Sequence, residues 1–276
     1  SCSFFKGTMK KEQPLVRPPK SAKMVYRQSR FPHLCPTPFR MLAAGRTGSG
    51  KSSALYSAVT DHYRGCFNKG VVIIARTAHL DHTYVQLQEW AAKHYKQDNR
   101  EKQFVFTGFE EDALMVIFRE HEELVAKEKL QRKNDNSSAP LSSLLWIVDD
   151  LSDSASLRSR NESLLNKVAT TGRHSGQSLF LCVHALSACS TLLRKSASCL
   201  IVFRISNRKE FEMLANEYAH LVGGLENFTE LYNAAVGKGA PPYSFLTIMP
   251  HEADSDKMFL ARFDERLTIE DADDKN

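Results

Sequence analysis

No apolar run in this chain could cross a bilayer: the longest, Leu144–Val148 and Leu179–Val183 among them, fall far short of the roughly 20 residues required. The N-terminal region lacks the basic segment, apolar stretch and small-residue cleavage site of a signal peptide, so the expectation is a non-secreted, intracellular protein. Cysteine is scarce. The six present (Cys2, Cys35, Cys66, Cys182, Cys189, Cys199) form no CxxC pair, which argues against a zinc ribbon and against a disulfide framework; reduced thiols are expected. No internal repeat is visible, and only KNDNSSAP, Lys133–Pro140, reads as a linker.

What is there is the composition of a folded globular chain. Of 276 residues, 42% are apolar and 25% charged, which excludes disordered, collagen-like and fibrous classes. A chain of this length buries roughly 70–75% of its unfolded surface without crosslinks. The net charge is +5, unevenly spread. Lys6, Lys10, Lys11, Arg17, Lys20, Lys23, Arg27, Arg30 and Arg40 face Glu12 alone in the first forty residues, whereas Asp264, Glu265, Glu270, Asp271, Asp273 and Asp274 dominate the last thirteen. Such an asymmetry fits a polyanionic partner at the front and a solvated acidic tail at the back. The expected organisation is a basic arm over 1–35, one domain over 36–263 and an acidic tail over 264–276.

Short apolar runs alternate with stretches of helical spacing. Strands are expected at Phe39–Gly45, Gly70–Ala75, Gln103–Thr107, Leu144–Asp150, Ser178–Val183 and Cys199–Phe203. Helices are expected at Lys51–His62, Tyr84–His94, Glu111 to about Gln131, Asn161–Val168 and Lys209–Tyr218. This alternation demands right-handed crossovers and a mostly parallel sheet, hence a three-layer α/β fold, with Ser244–Met249 and Met258–Phe263 as a late edge hairpin.

The turn between the first strand and first helix, Gly45, Arg46, Thr47, Gly48, Ser49, Gly50, Lys51, Ser52, matches G-x-x-x-x-G-K-[ST] at every position, with Ser53 next. Glycines let the backbone wrap a phosphate closely, and the amides at the helix start point toward negative charge. Lys51 would reach the β and γ phosphates and the Ser52 hydroxyl would coordinate Mg2+, so ATP with Mg2+ is the expected ligand.

A nucleotide site of this type needs an acid for the metal, and Asp149 ends the LLWIV strand with Asp150 directly after it. The first acid would hold Mg2+ and the second would activate water, an arrangement suited to an ATPase. About a hundred residues separate loop and acids, which favours the RecA-like (ASCE) class of P-loop ATPases with an extra central strand. His184, after SLFLCV, stands either as a γ-phosphate sensor or as an ordinary strand-end residue. Trp146 and Cys182 lie inside apolar runs and are expected to pack.

The order GRTGSGKS, IIARTAHLDHTY, LLWIVDDLSD, TTGRHSGQSLFLCVHAL and FRISNRKEFEMLANEY resembles the genome-packaging ATPases of the FtsK/HerA superfamily, in particular the poxvirus-like branch of large DNA viruses, virophages and Maverick-type elements. The resemblance spans Phe39 to Tyr218. It implies a ring-forming motor, pentameric or hexameric, that threads double-stranded DNA into a capsid within an infected cell or virion. Lys51, Ser52, Asp149 and Asp150 carry over as phosphate, metal and water ligands. Arg173 in TGRH is similar to the family's motif arginine, acting at a subunit interface or on DNA, with Arg194, Arg204 and Arg208 as weaker finger candidates. Thr171 stands where family members often have another arginine, and His184 where they often have Gln, Asn or Thr.

A translocase grips phosphates and needs no base reading, so the arm from Lys6 to Arg30 and the Lys127–Lys133 cluster are candidate DNA contacts, and capsid proteins are candidate partners. A regulatory nucleotide switch and a small-molecule kinase are the alternative readings. DNA-stimulated hydrolysis separates them from a motor, and a kinase should also carry an arginine-rich lid, of which there is no convincing example.

Overall fold

A computed structural model describes residues 25–135, 137–149 and 163–269. Nine strands form one sheet: β1 (Arg40–Ala44), β2 (Val71–Ala75), β3 (Val105–Phe106), β4 (Leu144–Asp149), β5 (Gln177–Val183), β6 (Cys199–Phe203), β7 (Phe245–Ile248), β8 (Phe259–Ala261) and β9 (Glu265–Arg266), in the order β3-β2-β4-β5-β1-β6-β7-β8-β9. From β3 to β6 every pairing is parallel, and β7, β8 and β9 add antiparallel. The acid-bearing strand β4 is thus separated from the phosphate-loop strand β1 by β5, as the expected extra-strand class requires.

Alternation along each strand splits the core in two. Met41, Ala43, Leu145 and Ile147 face a cluster covered by α1 (Lys51–Ser57) and α2 (His82–Tyr95). Leu42, Ala44, Trp146 and Val148 face the other, covered by α3 (Glu111–Asp135), α4 (Leu164–Thr170), α5 (Thr191–Ser196), α6 (Arg208–Tyr218) and α7 (Leu225–Val236). The central strands are apolar at nearly every position because both of their faces are covered. Trp146 and Cys182 are buried as expected, the indole donating to Gln177 Oε1 at 2.8 Å.

Several expectations shift. The helix expected over Lys51–His62 changes character at Ala58–His62, a π-helical turn, and α4 begins at Leu164 rather than Asn161, which lies outside the described residues. Residues 25–35 pack against the rest of the described chain: Tyr26, Leu34 and Cys35 are buried, the Leu141 amide donates to the Val25 carbonyl at 3.0 Å, and His33 Nε2 meets the Phe263 carbonyl at 2.8 Å. At the far end β9 pairs with β8, and Leu267 and Ile269 pack on the core. The first 24 residues of the basic arm and the tail from 270 onward lie outside the described residues. The five described cysteines are buried and free, and no described helix is long and apolar enough to cross a membrane.

One buried group couples this fold to pH. His121 of α3 is 6% exposed and its Nε2 has no partner. Burial pushes its pKa down from 6.5 to about 4, only partly offset by Glu128 and a backbone hydrogen bond with Ser175, and reinforced by Lys69 and Lys102. The unfolded chain takes up this proton at about 6.5 and the folded one only near 4. The contribution of neutral His121 is therefore complete above pH 6.5 and lost as pH falls toward 4, by roughly 3 kcal/mol. Urea unfolding across that window should show the loss, and His121→Leu should flatten it.

Candidate functional site

Register places the chemistry at one edge. Ala44 pairs with Val183 and with Val202, and Ala75 with Asp149, so the residues leaving β1, β4, β5 and β6 emerge side by side: Gly45, Asp149, His184 and Arg204. The carboxyl edge of a parallel sheet is where open α/β folds bind ligands. The Gly45 amide donates to the Val183 carbonyl at 3.1 Å and ties the loop to that edge.

The loop itself depends on two glycines with positive φ, Gly48 at 75° and Gly50 at 101°, a region that side-chain-bearing residues rarely enter. Gly50 caps α1, and the Ala54 amide donates to the Gly50 carbonyl at 2.9 Å to close the first turn. Lys51 is only 7% exposed, and its ammonium donates to the carbonyls of Gly45 at 2.6 Å and Arg46 at 3.1 Å. A cation buried in this way is aimed along the inside of the loop, where a phosphate chain would lie.

Beside it opens a cleft of about 610 Å³ lined by Thr47, Gly48, Gly50, Lys51, Ser52, Ser53, Thr77, Asp81, Thr83, Asp149, His184 and Tyr243. The Asp149 carboxylate accepts from the Tyr84 hydroxyl at 2.5 Å. Tyr84 is fully buried in α2, and burial first, then Cys182 and Asp149, pushes its hydroxyl pKa well above the usual range, so it stays a donor. Burial and the nearby Asp149 likewise raise the Cys182 thiol well above its ordinary value, Lys51 opposing, which keeps it protonated. Asp81 accepts from the Thr83 amide at 2.8 Å and caps α2, fixing the helix that carries Tyr84.

The structure therefore brings together Thr47, Gly48, Gly50, Lys51, Ser52, Ser53, Asp149 and His184 of the expected residues, with Gly45, Arg46 and Ser49 in the same loop. Asp150 lies outside the described residues. Arg173 is not brought there. It sits in the short 3-10 turn Gly172–Ser175 before β5, and β5 is seven residues long, so about 20 Å of strand separates Arg173 from the carboxyl edge. That placement leaves Arg173 on the opposite edge of the sheet from the phosphate loop of its own chain. Arg194, 12% exposed in its side chain, is held internally by Glu217 at 2.9 Å and the Cys189 carbonyl at 2.7 Å. Arg208 pairs with Glu212 on the exposed start of α6. Arg204 lines two smaller clefts that flank the loop and share Arg46 with it.

Thr77, Asp81, Thr83, Tyr84 and Tyr243 were not among the expected site residues. The Asp81 cap was visible in HLDHTY, because Asp before a helix is an N-cap signal; the others became visible only through folding.

The Ser52 hydroxyl and Asp149 carboxylate are hard oxygen donors of residues lining one cleft, while no cluster of three His, Cys, Asp or Glu exists among the described residues. This donor set suits a cation held jointly with phosphate oxygens and water, and not one caged by protein alone.

A family model described as "Poxvirus A32 protein" matches residues 27–224. No curated protein matches the sequence. Among solved structures, the chain is similar to the genome packaging NTPase B204 from Sulfolobus turreted icosahedral virus 2 in complex with ATP-gammaS, at 14% identity and a TM-score of 0.49, over 83% of this chain and 98% of that one. It is similar to B204, the DNA-packaging ATPase from Sulfolobus Turreted Icosahedral Virus, at 17% identity and a TM-score of 0.47, over 81% and 96%. The conjugation coupling protein TcpA of pCW3 matches at 15% identity and a TM-score of 0.47, over 82% of this chain and 61% of that one.

Proposed function

The chain belongs to the poxvirus A32 protein family, and from that premise we propose that it is a genome-packaging ATPase which drives double-stranded DNA into a capsid. The observation that supports this reading most strongly is the meeting of the GRTGSGKS loop and Asp149 at one sheet edge, with β5 interposed. That strand order departs from a simple kinase.

In this reading Lys51 and the loop amides bind the β and γ phosphates of ATP. Ser52 and Asp149 would hold Mg2+, which when bound neutralises charge on the transferred phosphoryl group. Tyr84 keeps the Asp149 carboxylate oriented toward the cleft. Asp150, next along the chain, accepts a proton from water as the water oxygen bonds to the γ phosphorus and the bond to the β-phosphate oxygen breaks, leaving ADP and phosphate. His184 lines the same cleft, which supports a role as sensor of the γ phosphate.

DNA is gripped at the other end. Arg173 is exposed there beside the end of α3, where Lys129 donates to the His174 carbonyl at 2.5 Å and Arg132 and Lys133 follow. This forms a cationic patch at the sheet edge opposite the phosphate loop, and the basic sequence from Lys6 to Arg30 is a further candidate contact. Copies assemble as a ring, pentameric or hexameric, docked on capsid protein at the site of virion assembly.

The test is ATPase rate against protein concentration, with and without long duplex DNA. Turnover per subunit should climb with concentration, because an arginine supplied by a neighbour is worth ~10³ or more in kcat. It should climb again with DNA. Hydrolysis indifferent to both would remove the motor reading.

A further inference from the structure

The loop joining α7 to β7 is built around a residue that its backbone disfavours. Gly239, with φ 102°, is followed by Ala240, Pro241 and Pro242, and the Ser244 amide donates to the Pro241 carbonyl at 3.2 Å to close a four-residue turn. Its third position is Tyr243, at φ 62°. A turn with positive φ at that position ordinarily takes Gly or Asn, which enter the left-handed region at little cost. A tyrosine there is strained, and such strain marks sites where the side chain is wanted.

The side chain is not wanted for the core. Tyr243 is 68% exposed, the most open aromatic ring among the described large hydrophobic residues. It leans on the phosphate loop: a Cβ placed on Gly50 would stand 3.0 Å from the Tyr243 Cβ and 3.3 Å from its Cγ. Tyr243 lines the 610 Å³ cleft that holds Lys51 and Ser53, and also a second cavity of about 240 Å³ on its other side. Ser49 and Ser244 line that second cavity, and their hydroxyls are buried without any hydrogen-bond partner. An exposed ring therefore lines two cavities directly beside the phosphate loop.

We propose that Tyr243 is the stacking platform for the nucleobase of the bound nucleotide. The proposal rests on the reading that the GRTGSGKS loop binds a nucleoside triphosphate, and it adds where the base goes. An exposed aromatic face fits a base because every base has a π face, and such stacking is selective for nucleotides over bare polyphosphate.

The test compares ATP with inorganic tripolyphosphate, which offers the same phosphates without a base, both titrated with Mg2+ against the full chain. Tyr243→Asn removes the ring while keeping a residue that tolerates the turn. It should weaken ATP about tenfold or more and leave tripolyphosphate within about twofold, and Tyr243→Phe should bind ATP like the parent. With Tyr243→Trp, ATP should quench the new indole and tripolyphosphate should not. Unchanged ATP affinity in Tyr243→Asn, or equal loss of both ligands, overturns the platform. Failure of the parent chain to bind either ligand overturns the phosphate-loop reading instead, so the two failures are distinct.

Discussion

Lys51→Ala yields a folded chain that neither retains ATP nor turns it over. The ammonium donates only to the loop carbonyls of Gly45 and Arg46, so its removal breaks no link between secondary-structure elements. Thermal unfolding should consequently change little. Binding loses a buried cation aimed along the phosphate path, where removal of one preorganised donor costs about 10²–10³ in rate. Calorimetric titration with ATP and a phosphate-release assay read the two losses together. Binding and turnover within about twofold of the parent would mean that phosphates do not pass along the loop, since a donor in such a place is worth far more.

Asp149→Asn is the second large effect, and Tyr84→Phe is its graded companion. The amide keeps the shape of the carboxylate and still accepts from the Tyr84 hydroxyl, so the end of β4 stays in place. What disappears is the negative charge that shares the cleft with Ser52. Turnover should fall by about 10²-fold or more, with a higher Mg2+ concentration needed for half-saturation. Tyr84→Phe leaves the charge but removes one hydrogen bond that orients it, and loss of such a supporting hydrogen bond costs about 10–100-fold in metal affinity. Measured as Mn2+ binding in the presence of ATP, the pair should rank parent, Tyr84→Phe, Asp149→Asn. An unaltered Asn variant would move the metal elsewhere.

The parallel strands were legible because each is a short apolar run bracketed by polar or glycine punctuation, and burial on both faces leaves no alternation to confuse them. Helices α5 and α7 were not assigned. TLLRKS is too short to show a period, and LENFTELYNAAV lies between Gly223–Gly224 and the Gly237–Pro242 stretch, whose turn signals mask it. Its stability comes from packing on β7 and β8, which no local window contains.

At the site, the phosphate loop was legible because its ligands are consecutive, and Asp149 because it ends its own strand. Tyr84 reaches Asp149 across 65 positions of chain, and Tyr243 reaches Gly50 from near the other end, so only tertiary structure unites them. The separation of Arg173 from the phosphate loop was in principle readable. In a parallel sheet, residues that precede a strand lie at the edge opposite those that follow one. Arg173 precedes β5, whereas Asp149 and His184 conclude their strands.

The sheet ends on both sides in two-residue strands, β3 and β9. Stubs of that length offer a neighbour almost no backbone ladder to extend, which is how edge strands avoid fusing with one another. In the proposed ring, adjacent copies would therefore meet through side chains and loops, and a seam of that kind could slip and re-form without any strand being unzipped.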